Sequence, residues 1–337
     1  MDAPGPVRSR GGTAGFGREG NAAAPEPVAE SVSRAVVHDS FGGTEVLRLI
    51  DRETPVPGPD ELRVRVSVAG LNPVDWQIVE SGELAAEFGI AVPSGFGNDF
   101  AGVVEAVGSG VSTWRIGDRV FGGARGAAVA EHLIVPAASQ RIHRTPAGVD
   151  DATAGVLDIA GRTASAVADA LALGPDDTVL IGAAGGGVGT ILTQLATLAG
   201  ARVLGTGGVE SAVHIRSLGA QPLRYGPGLL ERVRLAAPEG ITAAADLFGT
   251  ETAVAALQLG APAGRVVTIE ADDPPSGARP VNGSDARPGA LLELLRLVQS
   301  GGLRVPIAAT FPLDEFQRAV DLQRARHARG KVAVVMA

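Results

Sequence analysis

TVLIGAAGGGVGTILTQLA, residues 178–196, decides the fold. A short apolar run, a glycine-rich turn and a helically periodic stretch read as strand, tight turn and helix. Within it Ala183, Gly186 and Gly189 stand as A-x-x-G-x-x-G, a variant of the dinucleotide fingerprint. Small residues let the turn close and let backbone N–H groups approach a pyrophosphate. They also let the helix, positive at its N-terminus, pack on its strand. A second strand, ARVLGTG (201–207), follows at the distance such a unit requires.

Outward toward the C-terminus, strands and helices continue to alternate. ESAVHIRSLGA (210–220) is helical, ITAAADLFG (241–249) enters a strand and ETAVAALQLG (251–260) is helical. GRVVTIE (264–270) is a strand and GALLELLRLVQSG (289–301) a helix. Such alternation means a parallel sheet. On the N-terminal side ATAGVLDIAGRTASAVADALAL (152–173) reads as one helix. Before it the texture is all-β: RAVVH, EVLRLI, ELRVRVSVAG, AGVVEAVG, DRVFG and AEHLIVP, between residues 34 and 136. Residues 1–30 mix Gly, Pro, Ala and charge without an apolar period and are expected to be a disordered leader. At the far end LDEFQRAVDLQRARH (313–327) predicts a helix and KVAVVMA (331–337) a strand added at an edge.

Composition narrows the chemistry. The 337 residues contain no cysteine, which removes disulfides, thiolate nucleophiles and sulfur-based zinc sites. The five histidines (His38, His132, His143, His214, His327) are too dispersed for a local ligand pair, so no metal is expected. A net charge of −8 argues against nucleic acid. No stretch is apolar enough for a membrane span and no secretory pattern opens the chain, so a cytoplasmic protein is expected. Lys331 is the only lysine.

The end of the second strand bears on the cofactor. An NAD site places a carboxylate there for the ribose 2′-hydroxyl, whereas this chain reads Gly205, Thr206, Gly207, Gly208, with Glu210 a little later. Ser211, Arg216 and Arg224 beside Tyr225 are placed to receive a 2′-phosphate, which favours NADPH. The alternative leaves Arg216 solvated and turns Glu210 inward.

In this order the motifs resemble the medium-chain dehydrogenase/reductase superfamily, in its zinc-free quinone oxidoreductase (zeta-crystallin-like) branch. The resemblance covers about residues 34–337. It rests on GLNPVDW (70–76), VPSGFGNDFAGVVEAVGSGVSTWRIGDRVFG (92–122), AEHLIVP (130–136), AGRTA (160–164), LIGAAGGGVG (180–189), RSLGA (216–220), GRVVTI (264–269) and GKVAVV (330–335). It implies an α/β fold, a GroES-like β-barrel domain plus a Rossmann doubly wound parallel sheet, with the active site between them. The barrel is expected over residues 31–155 and 308–337, the NADP-binding domain over 156–307. Zinc-dependent relatives carry a cysteine ligand where this chain has Asn72, and Gly-His-Glu where it has Gly97-Asn98-Asp99. Without a Lewis acid, hydride is better delivered to an acceptor that delocalises charge itself, a quinone or a C=C conjugated to a carbonyl.

Carried over by position, the resemblance places Thr163 at the nicotinamide ribose and Ala183, Ala184, Gly185, Gly186, Gly187, Val188 and Gly189 at the pyrophosphate. Gly205 to Gly208, Ser211, Arg216 and Tyr225 fall at the adenosine phosphate. Phe248, Gly249 and Ile269 line the nicotinamide face, Lys331 lies near the cleft and Asn72 on its floor. Asp75 is read as a hydrogen-bond acceptor fixing the turn. The chain departs from its relatives in lacking pocket tyrosines after that turn and in reading Asp158-Ile159-Ala160-Gly161-Arg162-Thr163-Ala164 where they have an uncharged stretch. Asp158 and Arg162, four apart on a helix, pair either in the cleft, orienting an oxygen and shuttling a proton, or at the surface. His132 is either a packed barrel residue or a proton donor. Asn72 or Arg162 would stabilise an enolate oxygen.

Three functions fit these residues: a broad NADPH-dependent quinone or enone reductase, a dedicated enoyl-type reductase of a biosynthetic pathway, and an NADPH-binding protein without catalysis. Loops 80–93, 122–128 and 271–288 are expected to line the pocket. The resemblance also implies a homodimer paired through an edge strand.

Overall fold

Short β-branched runs dominate the first half of the chain, and the backbone there is mostly extended. Its elements are β1 (Val32–His38), β2 (Arg48–Glu53), β3 (Glu61–Leu71), α1 (Pro73–Glu80), α2 (Gly82–Glu87), β4 (Ser94–Gly95), β5 (Asp99–Val107), β6 (Arg119–Gly123), β7 (His132–Pro136) and β8 (Ile142–Arg144). In β3 the alternate residues Leu62, Val64, Val66 and Val68 are buried, the period of a strand with one face on a core. The second half contains α3 (Asp151–Ala154), α4 (Asp158–Leu171), β9 (Thr178–Ile181), α5 (Gly187–Leu198), β10 (Arg202–Gly207), α6 (Ala212–Ser217), β11 (Gln221–Arg224), α7 (Leu229–Ala236), β12 (Ala243–Asp246), α8 (Glu251–Gln258), β13 (Val266–Thr268), β14 (Arg279–Pro280), α9 (Ala290–Gln299), β15 (Ile307–Pro312), α10 (Phe316–Arg324) and β16 (Lys331–Val335). All belong to one compact unit, Val32–Ala337.

The computed structural model describes residues 1–3, 5, 32–271 and 273–336. Residues 4 and 6–30 of the expected leader lie outside the described residues. Among the described residues the strands form three sheets. The barrel sheet runs β15-β16-β3-β5-β6-β8 with β7 also on β3, a smaller sheet runs β2-β1-β4, and the parallel sheet runs β11-β10-β9-β12-β13-β14. Among the described residues no helix is long and apolar enough to cross a membrane.

Two expectations about elements are corrected. The stretch 152–173 is not one helix: α3 and α4 are separated where Gly155 passes the barrel backbone. A β-carbon on Gly155 would stand 2.9 Å from the Val68 carbonyl oxygen and 3.1 Å from the Ala101 nitrogen. The bend buries Val156 and Leu157. The terminal strand is not an edge either, because β16 lies between β15 and β3, antiparallel to β3 from Val332 opposite Leu71 to Val335 opposite Val68. Its apolar run Val332–Val335, after Lys331, suits a strand covered on both sides. One apolar cluster runs from Ala101 and Phe121 of the barrel through Leu157, Ala160 and Ala164 of α4 to Ile181, Ile191 and Val267. That cluster fixes the barrel against the parallel sheet.

Candidate active site

In the parallel sheet the strand order reverses between β9 and β12, and such a reversal opens a crevice beyond the carboxyl ends of the strands. The glycine turn after β9 and the Phe248-Gly249 turn after β12 flank it. Ala183 holds left-handed backbone (φ 49°). Its N–H donates to Thr206 Oγ1 (3.2 Å), and the Ala184 N–H donates to the Thr206 carbonyl (2.9 Å). Thr206, expected at the cofactor phosphate, is therefore engaged in holding the turn.

A β-carbon on Gly189 would stand 2.2 Å from the Ala183 carbonyl oxygen. On Gly205 it would stand 2.7 Å from Ala184 Cβ, and on Gly207 2.5 Å from Ile215 Cδ1. These glycines serve close packing of turn, strand and helix. At Gly186 the crowding is milder, the missing β-carbon having one close neighbour, the Ala183 carbonyl oxygen at 3.3 Å. As at any helix start, the N–H groups of Gly187, Val188 and Gly189 have no carbonyl one turn back to bond. A turn of small residues leading to N–H groups without helical partners at a positive helix end fits a dinucleotide pyrophosphate.

At the end of β10, Tyr225 is exposed, its N–H donating to the Gly207 carbonyl at 3.3 Å. Arg216 is also exposed. A β-carbon on Gly208 would meet Glu210 Oε2 at 3.0 Å, so the Glu210 carboxylate lies over the strand end. Ser211 closes a turn through its N–H to Gly208 O (3.0 Å).

Across the crevice, β3 ends at Leu71 and α1 begins at Pro73, with Asn72 capping the helix. The Asn72 N–H donates to Asp75 Oδ2 (2.7 Å), and Asn98 Nδ2 donates to Asp75 Oδ1 (2.5 Å). Asp75 is the turn-fixing acceptor that the sequence suggests. Lys331, buried at the start of β16, donates to Asn72 Oδ1 and to the Leu71 carbonyl (3.2 Å), with Asp99 Oδ2 at 3.6 Å. Its stem also meets the turn, since a β-carbon on Gly187 would stand 3.0 Å from Lys331 Cδ. The neighbouring Gly330 N–H donates to the Gly185 carbonyl (3.1 Å). The lysine is a donor only, so its bond fixes the Asn72 amide with Oδ1 toward Lys331; Nδ2 is buried without a partner at hydrogen-bonding distance, on the side of the Asp99 carboxylate, whose pKa it helps to hold down. Burial and the nearby Asp99 carboxylate push Asp75 up to about 7. Burial pushes Asp99 up to about 6, Lys331 opposing and Asp158 adding to the rise. Burial lowers the Lys331 ammonium.

The expected ion pair between Asp158 and Arg162 does not form. Asp158, the first residue of α4, is fully buried and paired with Arg141, which reaches in from the segment before β8. Arg162 instead donates from Nε to the Gly283 carbonyl (3.2 Å). Side chains tilt toward a helix N-terminus, and for Asp158 that direction is the barrel wall. Nothing local in sequence announces Arg141. His132 lies away from the crevice, opposite Arg65 in β3, with Ser33 Oγ at 3.1 Å and Glu105 Oε2 at 3.2 Å. Burial lowers its pKa. It is a packed barrel residue.

Thr163 is buried and donates to the Ile159 carbonyl (2.8 Å). The nicotinamide-face candidates gather at the ends of β12 and β13. The Ile269 N–H donates to Asp246 O (3.2 Å), and Gly249 takes φ 83°. Phe248 is exposed under the Arg326 guanidinium, 4.9 Å from its ring centroid. Sequence reasoning overlooked two residues here. Buried Asp246 accepts from Phe248 N (3.0 Å) and Ala253 N (3.0 Å), holding the turn. Glu270 accepts both from Arg326 (2.8 and 2.5 Å) and from Gln77 (2.9 Å), tying α1 and the segment after α10 to the end of β13. The strand-terminal position of Asp246 is a signal; the Glu270 contacts leave none in sequence.

The alcohol dehydrogenase GroES-like domain family matches residues 58–147, and the zinc-binding dehydrogenase family matches residues 218–334. A quinone oxidoreductase of Pseudomonas aeruginosa is 31% identical over 331 residues, 90% of this chain and 100% of that protein. The solved quinone oxidoreductase of Coxiella burnetii superposes with a TM-score of 0.81 at 27% identity, over 91% of this chain and 100% of that one. A mycobacterial protein solved in complex with NADPH superposes with a TM-score of 0.78 at 28% identity, over 90% of this chain and 99% of that one. Crevice, glycine turn and full-length similarity agree: this chain is an oxidoreductase and belongs to the quinone oxidoreductase branch of the medium-chain dehydrogenase/reductase superfamily.

Proposed function

We propose that the protein is an NADPH-dependent reductase of quinones or of alkenes conjugated to a carbonyl, working without zinc. The observation that carries this reading is the Asn72 amide, a buried, unpartnered N–H donor held in orientation by Lys331 beside the glycine turn. The cofactor supplies the hydride when bound. The α5 N-terminus and the glycine turn before it hold its phosphates, and Phe248, Gly249 and Ile269 border its reactive ring. Asn72 Nδ2 then donates to the acceptor oxygen that gains negative charge as hydride arrives. A preorganised donor of this kind is worth about 10²–10³ in rate in a dry site. Water supplies the final proton.

NADPH is supported by exposed Arg216 and Tyr225 at the end of β10 and by the mycobacterial relative solved with that cofactor. Glu210 opposes it. Titration of the protein with NADPH and NADH, followed by nicotinamide fluorescence, decides between them: micromolar NADPH binding with weaker NADH is expected. Turnover of 9,10-phenanthrenequinone and a simple enone then tests the chemistry, and Asn72→Ala should lower kcat by about 10²-fold. Binding of neither cofactor, or an Asn72→Ala enzyme of unchanged kcat, would refute the respective part. We place the protein in the cytoplasm as a homodimer paired through β14, whose Pro280 removes one donor from that edge; light scattering measures the assembly.

A further inference from the structure

The contacts on the Phe248 side of the crevice rest on a residue in an uncommon backbone position. The α10 helix ends at Arg324 with Ala325 as its cap, and Arg326 follows in left-handed backbone (φ 56°), its N–H donating to the Gln323 carbonyl (3.2 Å). Glycine commonly fills the place just past a helix end, because a side chain disfavours that conformation. A larger residue persists there where its surroundings over-determine it.

The Arg326 guanidinium is engaged on both edge and face. Its edge bonds both oxygens of Glu270, Nη1 to Oε2 (2.8 Å) and Nη2 to Oε1 (2.5 Å). Its central carbon lies 5.3 Å from the centroid of the Trp76 ring and 4.9 Å from that of Phe248. A planar guanidinium suits both kinds of contact at once, which an ammonium does not. Gln77 Nε2 donates to the same Glu270 carboxylate (2.9 Å), Trp76 Nε1 donates to Gln323 Oε1, and Arg324 pairs with Glu80 at the end of α1. One cluster therefore bolts α1 to the Phe248 turn and to the end of β13. The helix so held is the one that Asn72 caps, with Trp76 one turn beyond the cap.

We propose that Arg326 and Glu270 are positioning residues for hydride transfer: by joining α1 to the Phe248 turn and β13 across the crevice, they hold the acceptor site at Asn72 and the hydride-donating ring at reacting distance. Both act through Asn72 and Phe248 rather than on the reacting atoms. The proposal deepens the reductase reading and rests on it for what binds between the two sides. Rate is steeply sensitive to such placement, a displacement of about 1 Å costing about 10²-fold.

The test compares Arg326→Gly, Glu270→Ala and the double variant. Glycine suits left-handed backbone, so Arg326→Gly should keep the fold, which its thermal midpoint checks. Stopped-flow single turnover with NADPH and 9,10-phenanthrenequinone should show hydride transfer at least about tenfold slower in each single variant, and no slower again in the double, because the two residues act as one unit. The dissociation constant of NADPH should stay nearly unchanged, since its phosphates are held at the α5 N-terminus. Emission anisotropy of the bound nicotinamide should decay faster in all three variants, the sign of a ring less firmly held. Hydride transfer unchanged in either single variant, multiplied losses in the double, or a loss of NADPH affinity as large as the loss of rate would overturn the positioning role. An unsubstituted protein that binds NADPH but leaves the quinone unreduced refutes the reductase reading alone, and the anisotropy of the bound ring then decides the positioning role by itself.

Discussion

Asn72 owes the orientation of its amide to a lysine 259 positions further along the chain. The NPVD motif was enough to mark the turn and its Asp75 acceptor, because those bonds are local. The partner that orients the amide is not local, and the sequence offered Lys331 only as a residue near the cleft. Asp158 shows the same limit more sharply. Spacing along a helix pointed to Arg162, yet tertiary packing delivers Arg141 from another element. Ala183 is a residue whose conformation costs something by itself, since left-handed backbone disfavours any side chain by roughly 1–2 kcal/mol. Ala183→Gly should therefore raise stability, by up to about 1 kcal/mol after the greater entropy loss of glycine. Urea unfolding measures it, and a clear loss of stability would show that the Ala183 methyl contributes packing that outweighs the strain.

The glycine turn with its flanking strand and helix was legible almost to the residue, because a strand that must turn sharply into a helix admits few sequences. Its glycines differ in how closely they are packed, which sequence alone did not reveal: Gly189, Gly205 and Gly207 have neighbours within 2.2–2.7 Å of where a β-carbon would stand, whereas Gly186 has only the Ala183 carbonyl oxygen, at 3.3 Å. Gly189→Ala should therefore push α5 off the Ala183-Ala184 turn and weaken NADPH binding at least about tenfold, because the helix N-terminus no longer aims at the phosphates. Fluorescence titration reads the affinity, and circular dichroism checks that the fold survives. The α1 and α2 helices were missed inside a region of strand texture. They are short and take their stability from packing beside the barrel, as Ile78 and Val79 do, rather than from a long apolar period.

At the scale of the molecule, the inner faces of barrel and parallel sheet enclose carboxylates that resist ionising. Unfolded, Asp75 and Asp99 titrate near the ordinary 3.8; folded, they do so at about 7 and about 6. Between those limits the native protein holds protons that the unfolded chain has released. This part of the stability is complete in acid and is lost as pH rises through about 6 to 7. Asp118, held low chiefly by the Arg115 backbone N–H, acts in the opposite sense and withdraws stability only in stronger acid. His132, His143 and His214, whose charged forms burial disfavours, act in the opposite sense over the same range, so the carboxylate part is read by difference: from about pH 6 to about pH 8 the thermal midpoint of Asp75→Asn should shift upward relative to that of the unsubstituted protein. Scanning calorimetry of both proteins at the two pH values checks this, and an Asp75→Asn protein with the same pH response as the unsubstituted one would contradict the burial argument.

The interior placement of β16 has a consequence for biosynthesis. The strand that completes the barrel beside β3, and carries the lysine that bonds Leu71 from 260 positions away, leaves the ribosome after every other described strand. At about 5–20 residues per second, one flank of β3 waits tens of seconds for its neighbour. The Gly185 carbonyl of the cofactor turn waits for Gly330 over the same interval. A nascent chain can assemble much of the parallel sheet early, but it gains a closed barrel, and a glycine turn braced against it, only as β16 emerges.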